Sequence, residues 1–230
     1  MGLGHGPNIV KDGLVFYVDA ANPKSYPRSG TVVDSMIGNT SGSLNGTTYS
    51  TDAVGSFNFD GIDDDIKLNS RFAEAGQTDI TINIWFKITG DGSSGNNGLI
   101  NEIASSQPFR SRILLNNSGN IVYYTIASTQ RVVNLSSTIP DNTWTNLTLI
   151  KDSSVGSKLY INSGYEYGNS SDIGNIAGIQ AGVFPGTILG LGAETVYFMN
   201  GEISNITVYN RALFTKEITQ NYNALKPRFN

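Results

Sequence analysis

The chain has no cysteine and a single histidine. Without cysteine there is no disulfide, no thiolate metal site and no cysteine nucleophile. With one histidine there is no multi-histidine metal centre, and His5 would have to serve any Ser-His-Asp triad. His5 lies among the glycines of Met1–Gly6, where a mobile backbone cannot preorganise a general base. Charge is also scarce: charged residues are 15% of the 230, against ~25% in ordinary globular chains. A net charge of −4 leaves no dominant electrostatic footprint for a nucleic-acid partner. No stretch approaches ~20 consecutive apolar residues, so neither a membrane-spanning helix nor a membrane partner is expected. The opening MGLGHGPNIV lacks the basic start and apolar run of a signal peptide. Gly6 also stands where a myristoylation signal wants Ser or Thr. No GxGxxG follows a strand pattern, and no GxxxxGK[ST] loop occurs.

What the chain does have is glycine, 26 residues, and a hydrophobic fraction of 39%, enough to build a core. Residues 1–12 read as a flexible N-terminal arm, with three glycines in the first six residues and Pro7 against regular pairing. Residues 13–230 read as one domain, with no internal repeat and no shift of composition. Its pattern is β. Ile80, Ile82, Ile84, Phe86 and Ile88 point one way along Asp79–Thr89, and Thr81, Asn83, Trp85, Lys87 and Thr89 the other. Leu14–Val18 and Phe57–Phe59 are shorter strands. Further strands fall at Leu99–Ile103, Ser111–Leu115, Ile121–Ile126, Trp144–Lys151, Lys158–Asn162, Thr187–Leu191 and Gly201–Asn210. Asn22–Asn45, rich in Pro, Ser, Gly and Asn, reads as a long loop. One helix is expected near the end, with Thr215 as N-cap, Glu217 in its first turn and Pro227 as its stop. Ile218, Tyr222 and Leu225 form its apolar stripe. Roughly a dozen short strands and one helix predict an all-β antiparallel sandwich, a jelly roll with one short C-terminal helix.

Four segments in order strengthen that reading: Phe59-Asp60-Gly61-Ile62-Asp63-Asp64; Ile80 to Phe86; Trp144 with Leu147, Leu149 and Leu159-Tyr160-Ile161-Asn162; and Asn200-Gly201-Glu202-Ile203 with Val208-Tyr209-Asn210-Arg211-Ala212-Leu213. Together they resemble the laminin-G-like, concanavalin A-like jelly-roll superfamily over roughly residues 13–226. The chain departs from the family pattern at Asp65, where Tyr is usual, and at Ser163, where Gly is usual. The resemblance implies that Trp85 and Trp144 are packing residues. Gly6 to Val15 and Asp19 to Pro27 also resemble the opening of laminin-G-like structural proteins of tailed, especially marine, bacteriophages. This implies a non-enzymatic virion protein on the particle surface, a capsid decoration or a tail or fibre part present in many copies. Its partners would be other virion proteins, bound through the arm, and glycans. A free carbohydrate-binding lectin-like module is the alternative, and a glycosidase is a third.

Two groups of residues are candidates for a site. Asp60, Asp63 and Asp64, with Asp65, form the one dense acidic cluster. Hard cations such as Ca2+ take several oxygens of this kind. The same turn also reads as a structural corner in which an Asp accepts backbone N–H bonds. Tyr160, Tyr165 and Tyr167 lie in or near one hairpin and are candidate stacking platforms for sugar rings, with ordinary packing as the other reading. Tyr123 and Tyr124 are adjacent, so only one of them faces a core. No catalytic residue is expected. Glu102, Glu166, Glu194 and Glu202 are isolated, and the Glu-x-Asp-x-x-Glu string of the glucanase branch is missing. Asn45, Asn146 and Asn205 open Asn-x-Ser/Thr triplets, which chance explains in so Asn- and Ser-rich a chain.

Overall fold

The structure, a computed structural model, describes residues 7–72, 77–102, 111–126, 130–172, 187–193 and 196–229. In chain order the strands are β1 (Leu14–Asp19), β2 (Val32–Asp34), β3 (Ser41–Asn45), β4 (Thr48–Ser50), β5 (Ser56–Asp60), β6 (Asp65–Leu68), β7 (Ile80–Ile88), β8 (Asn96–Asn101), β9 (Ser111–Asn116), β10 (Ile121–Ile126), β11 (Gln130–Asn134), β12 (Thr145–Asp152), β13 (Gly156–Ile161), β14 (Gly164–Asn169), β15 (Ile188–Leu189), β16 (Leu191–Ala193), β17 (Val196–Phe198) and β18 (Asn200–Tyr209). Helix α1 (Thr215–Leu225) follows. The first sheet runs β14-β13-β12-β7-β18-β5-β4, with β1 also paired to β18. The second runs β11-β10-β9-β8-β15-β6-β3-β2. Every pairing among the described residues is antiparallel, and β16 and β17 form a separate hairpin. The all-β sandwich expectation holds.

One core fills the space between the sheets. Ile80, Ile82, Ile84, Phe86 and Ile88 of β7 meet Ile66, Ile100, Ile113, Leu115 and Val122 of the second sheet. The period-two pattern of β7 therefore places its apolar face as expected. Its other face is buried too, because α1 and the residues after it cover the outer side of the first sheet. There Trp85 stacks on Tyr222, with ring centroids 5.4 Å apart, and on Phe229 at 4.1 Å. Half-buried Trp144 lies 5.1 Å from the Phe229 ring, so both tryptophans are packing residues. Val10, Ile150, Tyr160, Tyr209, Leu213 and Ile218 make a second cluster on this outer side. At one end the sheets are also tied by polar groups: Tyr124 Oη lies 2.6 Å from Ser157 Oγ, Ser157 donates to Asp172, and Asp172 accepts from Arg131 Nε at 2.8 Å. Gly190 lets β15 turn into β16 against the core. Its φ is +77°, and a Cβ there would stand 2.3 Å from the Phe59 ring.

The structure departs from the sequence expectations in three places. Asn22–Asn45 is not one long loop, because it carries β2 and β3. Val33 and Leu44 are the inward-facing residues of these strands. Phe214, not Thr215, is the N-cap of α1. Phe has no side-chain acceptor, and the first turn is held by Glu217, whose carboxylate accepts from Phe214 N–H at 2.9 Å and from both terminal nitrogens of Arg211. The described half of the proposed arm is docked. Val10 is buried, its N–H donates to Asn221 Oδ1 at 2.8 Å, and its carbonyl accepts from Tyr209 Oη at 3.1 Å. Gln220 Nε2 donates to Asn8 O at 2.7 Å. Glycine and proline content hid this docking, because one valine supplies the apolar contact and backbone groups the polar ones. Residues 1–6, including His5, lie outside the described residues.

Candidate functional site

The acidic turn carries the chain from β5 in the first sheet to β6 in the second. Asp60, Asp63 and Asp64 each bring a carboxylate oxygen within 4.8 Å of the others. Part of their capacity is already used within the turn. Asp64 Oδ2 accepts Asp60 N–H at 3.0 Å, and Asp60 Oδ1 accepts Ile62 N–H at 2.8 Å. Asp64 is buried against Gly46, whose φ of +71° and missing side chain leave room for the carboxylate. Burial, and then the charges of Asp60, Asp63 and Asp65, push the Asp64 carboxyl above its usual range. Asp65 turns away and accepts from Asn45 Nδ2 at 2.5 Å. The turn is thus both a hydrogen-bonded corner and a set of close carboxylates that repel one another. Oxygen donors at this spacing fit a hard cation, which would relieve that repulsion.

The hairpin brings together two of the three tyrosines, Tyr160 and Tyr165, whose rings lie edge to face with centroids 5.6 Å apart. A bulge between Leu159 and Tyr160 pairs Tyr160 with Tyr165 and Leu159 with Tyr167. Tyr160 is buried in the outer cluster, and Tyr167 packs into the core edge-on to Tyr124. Tyr165 alone is exposed, at 61%. With Tyr160 buried and Tyr167 turned to the core, Tyr165 is the one ring of the three left open to a sugar, so the stacking expectation for Tyr160 and Tyr167 is corrected. Of the adjacent pair, Tyr124 faces the core and Tyr123 the outside.

Of the isolated glutamates, Glu202 lies beside Lys87, 2.8 Å from its Nζ, and the same ammonium contacts Asp52. The Lys87 contact holds Asp52 below the usual carboxylate range. A glycosidase acid needs the opposite environment, one that keeps a carboxyl protonated near neutrality. Glu166 accepts from Ser136 N–H and Oγ, both at 2.9 Å. Glu102 is buried and accepts from Phe72 N–H and Thr187 Oγ. Glu194 lies outside the described residues. Asn146 and Asn205 are fully buried, out of reach of glycosylation in the folded chain.

A third group escaped sequence reading. Register pairs Asn101 of β8 with Arg112 of β9, and Arg112 with Thr125 of β10. Their neighbours Ile100, Ile113 and Tyr124 face the core. Asn101, Arg112 and Thr125 therefore stand abreast on the outer face of the second sheet, with Cβ atoms about 5 Å apart. All three are buried, at 1%, 7% and 1% exposure. Among the described residues, neither the amide nitrogen nor the amide oxygen of Asn101 has a hydrogen-bond partner, nor has Thr125 Oγ1. Buried polar atoms of this kind are rare, and each costs about 1–3 kcal/mol. The β16–β17 hairpin folds back here and lays the Tyr197 ring over Arg112, 5.2 Å from Cζ to the ring centroid. Tyr197 does so at φ +65°, an uncommon conformation for an aromatic residue. Burial holds the Arg112 pKa below its ordinary value, opposed in part by the Tyr197 hydroxyl. An Arg in the apolar run Arg112-Ile113-Leu114-Leu115 was the one local signal of this face.

Among solved structures the chain resembles domain 4 of AbnA, a GH43 extracellular arabinanase from Geobacillus stearothermophilus, in complex with arabinotriose. The TM-score is 0.68 at 15% identity, over 93% of this chain and 100% of that domain. It also resembles Trypanosoma rangeli sialidase in complex with sialic acid, with a TM-score of 0.69 at 12% identity, over 99% of this chain and 35% of the sialidase. A third likeness is the botulinum neurotoxin serotype D binding domain, with a TM-score of 0.68 at 15% identity, over 92% of this chain and 50% of that one. The chain thus spans about a third of the sialidase it matches. Identities this low speak for the fold alone. No curated protein sequence matches the chain. Among the described residues no helix is long and apolar enough to cross a membrane. The family model for the concanavalin A-like lectin/glucanases superfamily matches residues 60–219, more than half the chain and the span from the acidic turn through β18 into α1. With the jelly-roll architecture already in hand, the chain belongs to the concanavalin A-like lectin/glucanase superfamily.

Proposed function

We propose that the chain is a non-enzymatic, lectin-like module that binds carbohydrate. The observation that carries this reading is the whole-domain likeness to the arabinanase domain solved with arabinotriose, over 93% of this chain and 100% of that domain. Membership of the concanavalin A-like lectin/glucanase superfamily supports the same reading. Calcium at Asp60, Asp63 and Asp64 is an accessory proposal, supported by the spacing of their oxygens. A phage particle remains a proposed setting, resting on the resemblance of residues 6–27. Mass spectrometry of purified particles from the source tests that setting, and absence of the chain from them removes it.

The test of binding is a glycan array probed with the whole chain, in calcium and in EDTA. Concentration-dependent binding to at least one glycan supports the reading. An array with no signal under either condition overturns the carbohydrate reading. Signal lost in EDTA supports the calcium site, and identical signals remove it.

A further inference from the structure

We propose that the groove beside β1 binds a small apolar acid of the fatty-acid kind, with its chain along the groove and its carboxylate against Lys11 and Lys24. The groove arises from the path of the chain. The register of β1 shifts between Leu14 and Phe16. Phe16 and Val18 enter the core, whereas Leu14 joins the outer cluster, and Tyr17 stays half-buried on that outer side. The residues after β2 lie along this part of β1: Met36 N–H donates to Tyr17 O at 2.8 Å, and Tyr17 N–H donates to Ser35 Oγ at 3.0 Å. The docked segment before β1 adds Ile9. Together these pieces enclose a groove of about 470 Å³, within the ~300–1,000 Å³ of small-molecule sites. Ile9, Leu14, Met36 and Ile37 give it apolar walls, and Ile37 is 38% exposed, so the walls meet solvent. The polar lining favours one sign of charge. Lys11 and Lys24 are exposed, and among the described residues neither ammonium has an ion pair or a hydrogen bond. Asn22 Oδ1 accepts Lys24 N–H at 3.0 Å, and among the described residues the Asn22 Nδ2 donor has no partner. The Tyr17 hydroxyl donates to Asp19, a buried carboxylate whose charge is met by Arg228 Nη1 at 2.9 Å. Among the described residues no carboxylate lines the groove, in a chain whose net charge is −4. Two cations and an amide donor select an anion, and the walls select an apolar body. The volume suits one short chain rather than the paired chains of a membrane lipid. A saccharide wants acceptors as well as donors, so this groove is separate from the carbohydrate reading, which stands or falls without it.

The test is a titration of the whole isotope-labelled chain with octanoate and with octanol near neutral pH, because amide shifts report both affinity and place. Octanoate should saturate below about 10 mM and shift the amides of Ile9, Tyr17 and Ile37. Octanol, the same chain without the charge, should bind about 3- to 10-fold more weakly, the size expected of two exposed ion pairs. Lys11→Gln combined with Lys24→Gln should weaken octanoate by a like factor and leave octanol unchanged. Ile37→Asp places a charge on the apolar wall and should weaken both ligands by at least about 10-fold. All three positions are exposed, so these variants should melt as the parent does. No saturation by octanoate, or shifts confined to another part of the chain, overturns the site. Equal binding of acid and alcohol, or octanoate binding unchanged in the double variant, overturns the role of the lysines and with it the acid class. Octanoate binding that survives Ile37→Asp overturns the apolar walls as its seat.

Discussion

Replacing Asn221 by Leu tests whether the segment before β1 is part of the folded body. Asn221 is 2% exposed and holds two other elements at once. Its Oδ1 accepts Val10 N–H at 2.8 Å, and its Nδ2 donates to Tyr209 Oη at 3.0 Å. Tyr209 in turn donates to Val10 O at 3.1 Å. Leucine fills similar space and favours the helix, but it strips Val10 N–H of its acceptor. That buried donor costs about 1–3 kcal/mol, and the lost Asn221–Tyr209 bond about 1 kcal/mol more. The sum is about 2–4 kcal/mol. In a domain of this size 1 kcal/mol moves Tm by about 2–4 °C, so Tm should fall by about 4–16 °C. Urea denaturation followed by circular dichroism gives the free energy, and hydrogen exchange at Val10 gives the local opening. Exposed Asn223 is the control position, where substitution by Ala should change little. A double-mutant cycle with Tyr209→Phe should show coupling of at least about 0.5 kcal/mol. A loss under about 1 kcal/mol, with Val10 exchanging as fast in the parent as in the variant, would refute the docking. The segment would then be the free arm that its glycines suggested.

Three further outcomes follow from the same contacts. Because Asp64 titrates above its usual value in the fold, its charge costs stability at neutral pH, and that cost fades as pH falls towards 3.8. Asp64→Asn keeps an acceptor for Asp60 N–H, so it should melt higher than the parent at pH 7 and equally at pH 3; a lower melting point at pH 7 counts against the repulsion. Glu217 is shifted the other way by Arg211, so its contribution is present above 4.5 and is lost as pH falls through the lowered value. Glu217→Gln should cost about 1 kcal/mol at pH 7 and almost nothing near pH 2, as urea titrations at the two pH values will show. Phe229→Ala should uncover one face of Trp85, shift tryptophan emission to longer wavelength and cost about 1–2 kcal/mol, and an unchanged spectrum would contradict the stack.

Features confined to one stretch of chain were legible in the sequence. β7 has five apolar residues at strict period two, and α1 has Ile218 and Leu225 on its buried side. The acidic turn is also local, since Asp60, Asp63 and Asp64 fall within five residues and bring their carboxylate oxygens within 4.8 Å of one another. β3, Ser41-Gly42-Ser43-Leu44-Asn45, was not legible, because small polar residues there carry only one apolar side chain to the core. The tyrosine hairpin was misread for a different reason. One bulge shifts the pairing by a residue and sends Tyr167 to the face opposite Tyr160, and nothing in the local composition marks the bulge. The Asn101–Arg112–Thr125 row was beyond reach altogether. It needs the relative register of three strands, and each residue alone looks like an ordinary polar position on a strand.

The placement of β18 has a consequence for how the chain is made. β18 lies between β7 on one side and β5 and β1 on the other, so residues 200–209 complete pairings that begin at Leu14. On a ribosome, every earlier strand of the first sheet emerges before the one that joins them. Until then β7, β5 and β1 display bare edges, and the isoleucines of β7 have only half a sheet to rest on. Closing contacts such as Phe16 with Val208 must bridge nearly the whole chain, which makes the search for the native pairing slow. Aggregation during synthesis should therefore depend less on final stability than on how long the chain waits for its last strand, and slow translation just upstream of residue 200 should lower the soluble yield.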